Sequence, residues 1–274
     1  MTVRAHGVAG GTRPQRGAAA NPLLEIRGLT SQADLRACVE MQRKIWGDDF
    51  TDVVPASILK ITTQVGGIAA GAFDAGGELL GFVYGITGVE PVVGGTAIVH
   101  WSHMLGVTAS AQRQGIGRAL KEYQRAELRK IGVVTMYWTF DPLVARNAHF
   151  NFNVLGVRAK KYVAHMYGEG TSPLHRGIGT DRLVVSWPVS EEGAEARRPA
   201  NNSGALLAAG KVLKIEVPGD IATIQKSDMS QARAWRERTR EAFQRALADG
   251  FSIAGFELDS ATGTGSYVLT QERT

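Results

Sequence analysis

The stretch VTASAQRQGIGRALKEYQR, Val107–Arg125, places Gly115 and Gly117 directly ahead of a helical pattern. Ile116, Ala119, Leu120, Tyr123, Leu128 and Ile131 fall on one helical face, and Gly132 stands where a C-cap would close the helix. Upstream, Thr96–Val107 is long and rich in Val, Ile and Trp, as strands are. A strand that runs through glycines into a helix leaves the first backbone N–H groups of that helix unpaired and aimed at one spot, where the helix dipole adds positive charge. Such a corner is an anion seat, and glycine lets a phosphate approach the backbone. The spacing Gln112-x-x-Gly115-x-Gly117 is neither the G-x-G-x-x-G of dinucleotide sites nor the G-x-x-x-x-G-K-[ST] of NTPases. On spacing alone, a tight turn with close helix–strand packing is as good a reading.

Outward from this corner the chain alternates strands and helices. Leu23–Leu29 reads as a strand, and Ser31 opens a helix with Leu35, Cys38, Val39, Met41, Ile45 and Trp46 on its apolar side, ended by Gly47. Gly66–Phe73 and Leu79–Ile86 are strands joined by the hairpin signal DAGG. Val133–Phe140 is a strand, Asp141-Pro142 reads as an N-cap followed by proline at the first helical position, and Gly156 ends that helix. Arg158–Tyr167 and Arg182–Val189 are further strands. Four parts follow: a disordered tail over 1–21, a main domain over 22–190, a linker or mobile loop over 191–210, and an extension over 211–274 with strand–helix–strand–strand order. In the extension the helix spans Asp228–Asp249, where Trp235 and Phe243 read as core residues.

Composition narrows the class. The 274 residues amount to about two average domains or one large one, with 44% hydrophobic and 21% charged residues. The formal charge is +5, but Arg4, Arg13 and Arg16 lie in an opening segment without acids, so the remainder is too nearly neutral to argue for nucleic acid. The single cysteine, Cys38, forms no internal disulfide and fits a buried structural thiol in a reducing cytoplasm. No apolar run reaches the roughly 20 residues of a membrane helix, and the N-terminus lacks a secretory h-region, so no membrane partner is expected.

The corner and its surroundings resemble motif A of the GNAT superfamily of acyl-CoA-dependent N-acyltransferases, [QR]-x-x-G-x-[GA] between a strand and the helix after it. The match runs over Leu105–Leu120, with Leu105-Gly106-Val107 as the strand end, and the order of elements over Leu23–Val189 is similar to the GNAT core. The resemblance implies an α/β fold with a mixed, mostly antiparallel twisted sheet flanked by helices. It further implies that the backbone of Gln112, Arg113, Gln114, Gly115, Ile116, Gly117 and Arg118 holds the coenzyme A pyrophosphate, and that Leu105, Gly106 and Val107 pair with the pantetheine arm. Arg113, Arg118 and Lys121 add charge near the phosphates, the 3′-phosphate among them. The run WTFDPLVARNAHFNFNVLG with the later GTDRLVVSW resembles an uncharacterised bacterial branch, some of whose relatives look associated with N-acylamino-acid metabolism.

Acyl transfer from a thioester to an amine needs a base for the amine and a proton for the thiolate, so histidine is the first residue type to consider. His103 stands four residues before Val107, an offset at which the arylalkylamine N-acetyltransferases, a branch of the family, carry a histidine that serves in amine deprotonation. Strand parity places it with Leu105 and Val107 and opposite His100, the second candidate. Asp141 either orients the amine or caps a helix. The family's N-x-x-A-x-x-x-Y-x-x-x-G-F puts Phe152 at the position of the acidic tyrosine and Ala145 at that of the asparagine. The acid is then Tyr162, Tyr167 or water, or the thiolate leaves unassisted. Asn147, Asn151 and Asn153 read as caps or ligand contacts, and Arg182 or Arg176 as grips for a substrate carboxylate.

These residues imply transfer of an acetyl or succinyl group from acyl-CoA to a small-molecule amine, including an amino acid, with no metal. The alternative is a non-catalytic acyl-CoA-binding or regulatory protein that kept the fold and lost the acid. The extension completes the sheet, covers the substrate cleft or forms a homodimer contact.

Overall fold

The computed structural model describes residues 24–168, 177–190, 211–259 and 263–271. The expected tail over 1–21 and the linker over 191–210 lie outside them. The main part consists of β1 (Glu25–Gly28), α1 (Gln32–Trp46), α2 (Ala56–Gln64), β2 (Ile68–Phe73), β3 (Leu79–Val92), β4 (Gly95–Val107), α3 (Ile116–Lys130), β5 (Thr135–Phe140), α4 (Ala145–His149), β6 (Arg158–Val163) and β7 (Arg182–Pro188). A π-helical turn, Phe150–Leu155, continues α4. The seven strands form one sheet in the order β1-β2-β3-β4-β5-β7-β6. Every neighbouring pair is antiparallel except β4 and β5. This is the mixed, mostly antiparallel sheet flanked by helices that the sequence implied.

Local chemistry sets the boundaries. Ser31 Oγ accepts from Asp34 N at 3.0 Å while Asp34 Oδ2 accepts from Ser31 N at 3.2 Å, the reciprocal capping box that starts α1. In the DAGG hairpin Asp74 Oδ1 accepts from Gly76 N and Glu78 N, and Gly77 takes φ +80°, which only glycine adopts freely. The strand expected over Arg158–Tyr167 stops at Val163, because His165 turns the chain with φ +47°. Helix α2 has no counterpart in the sequence reading. Its Ile58 and Ile61 are exposed, so the apolar positions do not trace one buried stripe.

The helices lie on both faces of the sheet. Leu35, Cys38 and Met41 of α1 and Leu59 of α2 pack with Phe82, Tyr84 and Met104 on one face. On the other, Ile116 and Leu120 of α3 pack with Ala70, Ala72, Val83, Leu105 and Val107.

The extension adds β8 (Lys211–Pro218), α5 (Ile221–Ser227), α6 (Met229–Ala248), β9 (Ser252–Asp259) and β10 (Thr264–Gln271). It therefore holds two helices where one was expected. Asp228 sits at the extended residue between them and accepts from Gln231 N at 3.0 Å, so it both ends α5 and caps α6. Its strands form a separate antiparallel sheet, β8-β10-β9, and do not complete the main one. The two parts nevertheless share a core. Phe140, Phe152, Leu183 and Trp187 lie in one cluster with Ile215, Phe243, Phe256 and Tyr267. Tyr162 of β6 stacks on Phe243 at 5.2 Å, and Tyr267 donates its hydroxyl to Pro142 O at 2.8 Å.

Candidate active site

The site begins where two parallel strands part. β4 and β5 pair over Val99–Trp101 and Thr135–Tyr137 only, although β4 continues to Val107 and β5 to Phe140. β4 stays paired with β3 to its end. Its other edge, from Ser102 to Val107, thus faces a wedge that widens toward the strand ends. Leu105, Gly106 and Val107 lie on that edge, as expected of residues that would pair with an extended ligand.

Beyond Val107 the chain makes a short 3-10 turn, Ala109–Ala111, and enters the glycine corner. Arg113 and Gly115 both have left-handed φ, +64° and +80°. Gly115 is the N-cap of α3 and supplies no side chain to the helix end, whose first intrahelical bond runs from Ala119 N to Gly115 O at 3.0 Å. The N–H groups of Ile116, Gly117 and Arg118 precede that bond and form the positive end of the dipole. Gln112 and Gln114 brace the loop, donating to Val107 O and Ser110 O at 3.3 and 3.2 Å. Gln112, Arg113, Gln114, Gly115 and Arg118 are exposed. A Cβ on Gly117 would lie 3.7 Å from Phe150 and 3.8 Å from Leu105, ordinary contact distances, so a methyl group fits here and a large side chain would meet α4 and β4.

His103 is the extra residue of a β-bulge. Tyr84 pairs with Met104 and Gly85 with Ser102, leaving His103 without a partner on β3. The bulge corrects the parity argument. His100 and Ser102 face α3, as Leu105 and Val107 do, whereas His103 turns to the α1–α2 face, its ring 6.1 Å from that of Tyr84 in an edge contact. His103 keeps an exposed edge. Crowding by the protein lowers its basicity below that of ordinary imidazole, with Asp52 opposing. At neutral pH the ring is therefore neutral and able to accept a proton.

Other sequence candidates are committed elsewhere. Asp141 is buried. Its Oδ1 accepts from Leu143 N at 2.9 Å, and its Oδ2 accepts from Arg236 of α6 at 2.5 Å and lies 3.9 Å from Arg182. The expected cap is therefore not made: α4 starts only at Ala145, with Val144 at its N-cap and no side-chain cap, and Asp141 instead closes the short turn that precedes the helix. Arg182 is buried, donates to Asp181 O at 2.8 Å and sits over the Tyr167 ring, which replaces the expected grip on a substrate carboxylate. Arg176 lies outside the described residues. Asn151 accepts from Trp138 Nε1 and donates to Asn147 O, both at 2.8 Å, which ties α4 to β5; Asn153 donates to Phe256 O in the extension. Asn147 is half-buried beside them.

Phe152 packs edge-on to Phe140 and Tyr267 in the shared core, and the α4 side chain that approaches the glycine corner is Phe150. Tyr162 donates to Asp181 at 2.5 Å, and burial with that carboxylate raises its pKa far above 10. Tyr167 is exposed, its hydroxyl 3.1 Å from Thr139 on β5.

Sequence reasoning also missed a buried polar chain under the wedge. Thr87, His100, Gln124, Ser102 and Lys121 are linked by hydrogen bonds. Lys121, expected to add charge at the glycine corner, instead lies beneath the sheet, 3.9 Å from the Trp138 ring. Its one sequence signal is a set of polar residues at α3 positions 121 and 124, on the face that also carries Leu120 and Leu128.

No family model and no curated protein matches the chain. Similar solved structures include the ribosomal-protein-S18-alanine N-acetyltransferase of Escherichia coli, at 18% identity over 61% of this chain and 95% of that one, with a TM-score of 0.46. An aminoglycoside 6'-N-acetyltransferase complexed with coenzyme A is 15% identical over 61% and 97% of the two chains, with a TM-score of 0.44. NAA60 of Arabidopsis thaliana, bound to a bisubstrate analogue, is 16% identical over 61% and 99%, with a TM-score of 0.47. Likeness at this level leaves the chemistry to be read from this chain's own residues. Among the described residues there is no cluster of three or more His, Cys, Asp or Glu able to hold a metal, and no helix long and apolar enough to cross a membrane.

Proposed function

We propose that the protein is an acyl-CoA-dependent N-acyltransferase. The observation that carries this reading is the wedge between β4 and β5, which opens onto an α3 N-terminus whose cap is a left-handed glycine. The free edge of β4 offers carbonyl and N–H groups to the two amides of a pantetheine arm, and the corner offers N–H groups and a dipole to a pyrophosphate. Arg113 and Arg118 stand exposed beside the corner and suit phosphates.

The acceptor is a small-molecule amine, and an amino acid is one class to test. Its carboxylate needs a partner other than Arg182, which is engaged with Asp181 and Asp141. The amine approaches from the α1–α2 side, where neutral His103 takes its surplus proton, directly or through water, and attack follows without a covalent enzyme intermediate. His103→Ala lowers turnover by about 10²–10⁴-fold and leaves CoA affinity unchanged; equal turnover across a pH series would remove His103 from the mechanism.

The deciding experiment supplies acetyl-CoA and succinyl-CoA in turn to a mixed pool of amines and amino acids, with products identified by mass spectrometry. Acylated products with thiol release support the enzyme. CoA binding without thiol release supports instead a non-catalytic acyl-CoA-binding protein, a reading favoured by the burial of Phe152 where the family carries its acid. A protein that binds no CoA by calorimetry excludes both.

A further inference from the structure

Lys121 is a buried basic group under the wedge that acyl-CoA binding by itself leaves without a purpose. It lies on α3, one turn beyond Gly117, and is 2% exposed. Among the described residues no carboxylate compensates it. Taking a lysine amine out of water costs free energy, and leucine would fill the same space without that cost.

The groups around it have a single consistent set of hydrogen-bond directions. Thr87 Oγ1 donates to Gly66 O at 2.6 Å, so towards His100 Nδ1, 2.9 Å away, it accepts. His100 Nε2 then accepts from Gln124 Nε2 at 3.0 Å. Gln124 Oε1 accepts from Ser102 Oγ at 2.8 Å, and Ser102 Oγ accepts from Lys121 Nζ at 2.7 Å. Each donor points away from Lys121, so the chain holds its amine in place and takes one of its N–H groups. His100 stays neutral in this arrangement, its pKa lowered to about 3 by burial and by Lys121, and Gly85 permits its ring to lie against β3.

Position adds the second argument. The last paired level of the two parting strands is Trp101 with Tyr137. Nζ contacts Ser102 of β4 and the ring of Trp138 of β5, the first residues beyond it. Lys121 therefore stands at the apex of the wedge, and the glycine corner at its mouth. Five strand residues separate Ser102 from Val107, about 17 Å. That length suits an arm anchored by its phosphates at the corner, with its sulfur toward the apex.

We propose that Lys121 Nζ receives the thioester sulfur at the apex and protonates it as the C–S bond breaks. The assignment rests on the acyl-CoA reading above. As the acceptor nitrogen bonds to the carbonyl carbon, the C–S electron pair passes to sulfur. The Lys121 ammonium gives that sulfur one proton and becomes an amine. The surplus proton of the acceptor nitrogen passes through His103 to solvent, from which Lys121 is recharged. Burial holds the Lys121 amine well below its usual pKa of 10.5, which makes its proton easier to give. This supplies the acid that Phe152 cannot.

The test is a calorimetric cycle on the full chain, with CoA and with desulfo-CoA, in which hydrogen replaces the thiol. The wild type is expected to bind CoA at least tenfold more tightly than desulfo-CoA. Lys121→Met, which fills the same volume, is expected to bind both within twofold of one another while keeping the wild-type affinity for desulfo-CoA. A lysine with a purely structural role would make both ligands weaken alike on substitution, and that outcome overturns the assignment. A wild type that does not distinguish the two ligands overturns it as well, whether or not Lys121→Met folds. Failure of the wild type to bind either ligand overturns the acyl-CoA reading, and Lys121's role with it.

Discussion

The ends of β4 and β5 are neighbours in the sheet and opposites in chemistry. Past β4, Arg113, Gly115 and Arg118 are exposed, and the helix end is capped by a residue without a side chain. Past β5, Asp141 and Arg182 are buried, and Arg236 of α6 closes on the carboxylate. Asp181 is held likewise by Arg240 at 2.8 and 2.9 Å. Both ends carry residues of the type that catalysis uses. A charged side chain near a strand end is thus weak evidence of function until its partners are known, whereas a helix N-terminus without a side-chain cap keeps its binding capacity in the backbone.

Opposite substitutions should separate the two ends. Asp141→Ala leaves the buried Arg236 guanidinium without its carboxylate and is expected to cost about 3–5 kcal/mol in chemical denaturation. Gly117→Trp places an indole beside the corner near Phe150 and Leu105 and is expected to abolish CoA binding by calorimetry, with unfolding free energy within about 1 kcal/mol of wild type. If Asp141→Ala instead unfolds like the wild type and loses turnover, the β5 end is catalytic and the contrast fails.

Gly85→Ala probes the bulge that links the ends. Its Cβ would fall 2.2 Å from His100 Nε2 and 2.6 Å from Trp101 O, so a loss of about 1–3 kcal/mol is expected from the same denaturation measurement. The smallest effect concerns a site remote from both ends. Arg27 pairs with Asp34 at 2.9 and 3.0 Å, and this pairing, followed by the Ser31 cap, holds the Asp34 carboxyl well below its usual pKa. A depressed folded-state pKa contributes stability above the unfolded value, near 4, and that contribution is lost as pH falls towards the folded value. Ser31→Ala should cost about 1 kcal/mol at pH 7, and Asp34→Asn should flatten the fall in stability below pH 4.

How far the sequence could be read depended on where each interaction is made. The strands, the DAGG hairpin, the start of α1 at Ser31 and the glycine corner are legible because each rests on residues a few positions apart. The parity of His103 was not, because one unpaired residue in β4 reverses the faces and a bulge leaves no mark on the apolar pattern. Nor was the commitment of Asp141, whose partner Arg236 stands 95 positions away.

The sequence by itself determined most of the strands, helices α1, α3 and α6 and the position of the uncapped helix end, since backbone conformation and period are local properties; α2 and α5 left no such mark. Tertiary structure alone decided which polar side chains are free for chemistry. It drew Asp141, Asn151 and Arg182 into hydrogen bonds and ion pairs and brought Lys121 to the apex of the wedge. Burial and pairing depend on which distant segments meet, and it is burial and pairing that set whether a charged group can act on a ligand.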